Sequence, residues 1–129
     1  MTHRHPRQVR FLTATLQSIS PDRCAVHVEI RGMVATYRGK ADGGCSEADQ
    51  LRATAQATIT ALGEMGHRVE LDAVEAVNIL GEWTIALRVM AEHDGERRKL
   101  VGFCVAGSDA LKATVFALLN ATNRFLEIG

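Results

Sequence analysis

Segments of alternating hydrophobicity lead into a segment of helical period, and the succession then repeats; no other feature constrains this chain as strongly. Val26, Val28 and Ile30 alternate with His27, Glu29 and Arg31, and Trp83, Ile85, Leu87 and Val89 with Thr84, Ala86, Arg88 and Met90. Val101, Phe103 and Val105 alternate with Gly102, Cys104 and Ala106. Period two is the mark of strands with one buried face. Phe11 to Ile19 and Val69 to Leu80 are less regular but rich in β-branched and aliphatic residues. Ser20-Pro21-Asp22 predicts a turn, and Arg31-Gly32 and Asp94-Gly95 predict hairpin tips.

Two segments change to helical spacing. Ala48, Leu51, Ala55, Ile59, Leu62 and Met65 form one stripe, with Gln50, Arg52, Thr54, Gln56 and Glu64 largely off it. Ser46 followed by Asp49 fits a capping box, and Gly66 a stop. The second helix is predicted from about Asp109 to Leu126, with a stripe of Leu111, Val115, Leu118, Thr122 and Phe125. Ser108 is its expected N-cap, and Asp109 is placed to complement the helix dipole.

In order, the elements read βββα and βββα. The sequence therefore predicts an α+β fold: a duplicated βββα unit with a pseudo-two-fold, its two helices packed on antiparallel sheet. The repeats are residues 9–66 and 67–129, forming one domain, and residues 1–8 are a flexible basic arm. Neither half alone would bury much core. On this reading the far face of the second unit carries Ala86, Met90, Leu100 and Cys104, and a sheet apolar on both faces calls for a second layer. A second copy of the chain is the simplest source, so a homodimer is expected. The other reading is a shallow face whose few apolar groups are tolerated in water.

Lys plus Arg and Asp plus Glu number 15 each among 129 residues, a formal net charge of zero. Such a balance argues against nucleic acid as a partner, since phosphate binding draws on a surplus of cations. No apolar run reaches the length that spans a membrane, and Met1 to Arg10 lacks the apolar segment of a secretory signal. Cys24, Cys45 and Cys104 are odd in number and widely spaced. They are read as free thiols of a cytoplasmic protein, with neither a zinc site nor a disulfide framework.

The strand-to-helix loops are the first candidates for chemistry. Asp42, Gly43, Gly44 and Ser46 precede the first helix, and Gly107, Ser108 and Asp109 the second. Backbone N–H groups at a helix start attract carboxylate or phosphate, and glycines permit close approach. Ordinary capping needs the same residues. Cys45, also before a helix start, is a candidate reactive thiol. His27 and Glu29 project from one strand face as a candidate acid–base pair, though a solvated polar face explains them equally well. His3, His5, His27, His67 and His93 have no recognised metal-ligand spacing. The run Glu96-Arg97-Arg98-Lys99 reads as a solvated hairpin without interleaved aromatic residues. There is no nucleophile elbow, phosphate loop or dinucleotide fingerprint, so neither metal nor cofactor is expected.

The stretch from Glu96 through Gly102, Gly107, Ser108 and Asp109 to Ala110, continuing to Leu119-Asn120-Ala121-Thr122-Asn123-Arg124, resembles the C-terminal regulatory domain of α-isopropylmalate synthases. That family places a charged hairpin before a strand with a central glycine, then a small-residue loop whose Asp opens a helix ending Leu-Asn-x-x-Asn. Gly39 to Ala48 shows the matching feature more weakly: Ala41 stands where the family has glycine, no proline follows Gly44, and Glu47 stands near the family's Asp. The resemblance implies a dimerising, ligand-sensing module that binds an amino acid at the loops before its helices and reports to a separate catalytic barrel absent from this sequence.

Together these readings predict a non-catalytic, dimeric regulatory or assembly module for a small acidic metabolite or a partner protein. The alternatives are a small cofactor-independent enzyme with a pocket between repeats or subunits, and nucleic-acid binding through Arg4, Arg7 and Arg10. A pocket lined by His27, Glu29 or Cys45 would favour the enzyme; a shallow apolar interface with empty helix-start loops would favour assembly.

Overall fold

A computed structural model describes residues 9–127; the basic arm 1–8, with His3, Arg4, His5 and Arg7, and residues 128–129 lie outside the described residues. The first half forms β1 (Arg10–Ser20), β2 (Arg23–Arg31), β3 (Thr36–Gly43) and α1 (Glu47–Glu64). The second forms β4 (Arg68–Ile79), β5 (Glu82–His93), β6 (Glu96–Val105) and α2 (Ala110–Glu127). The doubled βββα order is present, and the six strands divide into two antiparallel sheets, β1-β2-β3 and β4-β5-β6.

The duplication extends to irregularities. β1 breaks register between Phe11 and Thr13, and β4 breaks it sixty residues on, between Leu71 and Ala73. Ala53-Thr54-Ala55-Gln56-Ala57 of α1 answers Ala113-Thr114-Val115-Phe116-Ala117 of α2 at the same interval. Each third strand carries a buried glycine, Gly39 or Gly102. A Cβ on Gly39 would collide with the carbonyl oxygen of Ala57, and one on Gly102 with that of Ala117. Each helix backbone thus rests directly on its strand.

Helix placement explains the helix composition. α1 packs on β2 and β3 and also on β4 of the other half, while α2 packs on β5 and β6 and also on β1; the helices touch each other as well. Surrounded on several sides, each helix buries more than the stripe read from the sequence. Leu51, Ala55 and Leu62 are buried as expected, but so are Ala53, Thr54, Ala57, Thr58 and Ala61, whereas Ala48 in the first turn is exposed. Buried threonines in such a position need internal partners. Thr54, Thr58, Thr114 and Thr122 each donate to the carbonyl four residues back, at 2.7, 2.8, 2.8 and 3.0 Å.

The helix ends largely follow the sequence. Ser46 Oγ accepts from the Asp49 amide at 3.1 Å, and Gly66, at φ 97°, follows the end of α1. The N-cap of α2 is Asp109 rather than Ser108: its Oδ1 accepts from the Lys112 amide at 3.0 Å. Gly107 turns at φ 58° and the Asp109 amide bonds back to Ala106 O at 3.3 Å, which carries the chain one residue further before the helix begins. β4 ends at Ile79 because Leu80-Gly81 makes the hairpin turn, both residues at positive φ as at Asp94-Gly95.

Two further expectations are corrected. Cys24 and Cys45 are disulfide-bonded, their Cα atoms 5.3 Å apart, and only Cys104 among the cysteines is free. Sequence separation hid the pair. β2–β3 register sets Gly43 opposite Cys24, so the chain returns Cys45 to it two residues later. Cys45 is therefore no reactive thiol. The second correction concerns the outer face of the second sheet. Leu100 pairs with Val89 and Cys104 with Ile85, so both lie on the helix side, and Val101, Phe103 and Val105 face outward beside Ala86 and Met90.

Two substitutions test this packing by chemical denaturation. Gly102→Ala is expected to cost about 1–3 kcal/mol through overpacking against α2. Cys24→Ser, or reduction, opens a loop closed across 21 residues and is expected to cost about 3 kcal/mol. Wild-type stability in either case contradicts the assignment.

Candidate functional site

The helices give much of their surface to the core, and the outer faces of the sheets carry the densest sets of polar and apolar side chains. Cross-strand partners point to the same side, so the register fixes each face. The first sheet presents the rows Gln17–Ala25–Asp42, Thr15–His27–Lys40 and Thr13–Glu29–Arg38. The corresponding rows of the second sheet are Val77–Thr84–Val105, Glu75–Ala86–Phe103 and Ala73–Arg88–Val101. One architecture therefore carries a polar face in one half and a largely apolar face in the other.

On the polar face, Arg38 Nε donates to Glu29 Oε2 at 2.5 Å and Thr13 Oγ1 to Glu29 Oε1 at 3.4 Å. The hydrogen bond from Arg38 lowers the Glu29 carboxyl below its ordinary value, and the carboxylate accepts from both Arg38 and Thr13. His27 Nε2 lies 3.1 Å from Gln17 Oε1. The two candidate acid–base residues share a face but engage different partners, and among the described residues no hydrogen bond joins them. Thr13, Thr15, His27, Glu29, Arg38 and Lys40, with Val28, Gly39 and Thr60 of α1, line an open cleft of about 540 Å³. The sequence reading singled out His27 and Glu29 and missed the rest. The signal was the alternation of Arg38, Lys40 and Asp42 with Gly39 and Ala41.

The helix-start loops are closed by their own side chains. Ser46 and Asp109 take the amides of Asp49 and Lys112, and Gln50 Nε2 donates to Cys45 O at 2.9 Å. Gly44 sits against the Asp49 carboxylate, Asp42 lies 3.8 Å from Arg23, and Gly43 belongs to β3. Gly107 and Ser108 are exposed before α2. The two loops thus occupy two separate helix starts, each internally capped.

The face of the second sheet is built differently. Val101, Phe103 and Val105 remain 53–55% exposed, and Ala86, Val77 and Met90 continue the apolar surface. Among the described residues three ion pairs lie on it: Arg88 Nε to Asp72 Oδ2 at 2.5 Å near its middle, and Arg97–Glu70 at 3.6 Å and Arg68–Glu92 at 3.9 Å at the end beyond Met90. Among the described residues no helix is long and apolar enough to cross a membrane. No protein-family model matches the chain, and no curated protein does.

Away from both faces, His67 follows α1 and is half-buried. Desolvation, with a smaller contribution from the charge of His93, lowers its pKa below the ordinary imidazole value. The folded state then binds this proton more weakly than the unfolded state, so its stabilising effect is complete above about pH 6.5 and declines below it. Thermal melts between pH 5 and 8 should show the wild type losing more stability on acidification than His67→Gln. Parallel curves would contradict the assignment.

Proposed function

We propose that the chain is a non-catalytic module that assembles as a homodimer through the outer face of its second sheet, in a regulatory or assembly role like that of the isopropylmalate synthase domains it resembles. The observation that carries this reading is the contrast between equivalent positions: Phe103 and Val101 occupy the places held by Lys40 and Arg38 in the other half. Uncovered apolar patches on folded proteins are characteristic of interaction surfaces. The occupant is a second copy because the face is self-complementary. Glu70 of β4 and Lys99 of β6 lie at the two ends of one row, so a two-fold that sets β4 over β6 brings an acid against a base, with Glu70 also 3.6 Å from Arg97 of its own chain. Arg88 and Asp72 enter such an interface already paired.

The enzyme reading draws on the cleft lined by His27 and Glu29. It is disfavoured by the commitment of Glu29 to Arg38 and of Cys45 to Cys24. Residues of the basic arm that a nucleic-acid role would use, Arg4 and Arg7, lie outside the described residues; Arg10 opens β1.

Light scattering after size-exclusion chromatography tests the proposal. The wild type should run at twice the 14.0 kDa chain mass. Phe103→Glu should run as single chains that keep the wild-type circular-dichroism spectrum, because the side chain is outside the chain's own core, and should melt lower than the wild type by the stabilisation that association supplies. A monomeric wild type, or a Phe103→Glu dimer, overturns it.

A further inference from the structure

The polar face has a charge balance of its own. Arg10, Arg23, Arg31, Arg38 and Lys40 lie on it against Glu29 and Asp42, although the whole chain is neutral. Both carboxylates are engaged, Glu29 by Arg38 and Asp42 by Arg23. Lys40 forms no ion pair among the described residues, and the row it shares with Thr15 and His27 contains no acid. Arg38 contacts Glu29 through Nε, which leaves its terminal amino groups as donors. Of these cations Arg38 and Lys40 line, with Glu29, a cleft of about 540 Å³, within the range of small-molecule sites.

We infer that this cleft binds a small dicarboxylate. Arg38 and Lys40 lie two residues apart on one strand, which sets their attachment points about 7 Å apart on the same face. That spacing suits the two ends of a succinate-sized dianion and allows a monocarboxylate to engage only one cation at a time. Thr15 supplies a hydroxyl beside the anionic ends, while Glu29 holds the guanidinium and the Thr13 hydroxyl through its existing bonds. The second sheet lacks the arrangement: Val101 and Phe103 replace the cations, and Ala73 and Glu75 replace the threonines. The inference goes beyond the assembly proposal and does not need it, since it uses the opposite sheet.

NMR titration of the full chain at constant ionic strength, with succinate and acetate as probes, provides the test. Succinate should bind saturably, moving the amides of Thr15, His27 and Lys40, and acetate should bind at least about tenfold more weakly. Loss of one charge-assisted contact in Lys40→Met should weaken succinate by about tenfold or more, while Lys40→Arg retains most of the affinity. Both variants are surface changes, and their melting temperatures report folding independently. Phe103→Glu should bind succinate as the wild type does, so a failed dimer and a failed site give different results. Absence of saturable succinate binding, equal affinity for acetate, or wild-type affinity in folded Lys40→Met overturns the inference.

Discussion

The fold depends on two points of close approach, where the backbones of α1 and α2 rest on Gly39 and Gly102 without an intervening side chain. The approach draws each helix onto its own sheet while its other sides reach the first strand of the opposite half and the neighbouring helix. The helices become a shared middle layer, which explains why their buried residues are mainly alanine, threonine and a few larger aliphatics. It also explains why the threonines turn their hydroxyls onto their own helix. A larger residue at either glycine would separate the layers that form the core.

A core built this way uses the inner face of each sheet and leaves both outer faces available. Duplication supplied the same grid of positions twice, and the two copies now differ in character. The first presents cations, hydroxyls and a histidine around a cleft. The second presents valines and a phenylalanine, with ion pairs through Arg88 near its middle and through Arg97 and Arg68 towards one end. Burial against the helices constrains neither face, so neither difference follows from the needs of the fold. The proposed assembly and the proposed ligand site accordingly fall on different sheets.

Much of the architecture was legible in the sequence because period two and helical period are local signals. The order of elements, the cap at Ser46, the stop at Gly66 and the Asp94-Gly95 turn all follow from neighbouring residues. What escaped depends on register. The alternation of Val101, Phe103 and Val105 with Gly102 and Cys104 was read with the larger residues inward, yet the glycine faces the core because the helix needs that space. The Cys24–Cys45 bond and the cleft residues Arg38 and Lys40 are likewise set by pairing between strands distant in sequence. Within α2, the shift of the N-cap from Ser108 to Asp109 arose from the turn at Gly107.

The proposed assembly gives two equivalent faces opposite roles, one covered by a partner chain and one open to water. Hydroxyl-radical footprinting over a range of protein concentrations tests it most directly, because the reactive side chains Phe103 and Met90 mark one face and His27 marks the other. Oxidation of Phe103 and Met90 should fall as concentration rises while that of His27 stays constant. Constant oxidation at all three positions, or protection of His27 in place of Phe103, would contradict the account.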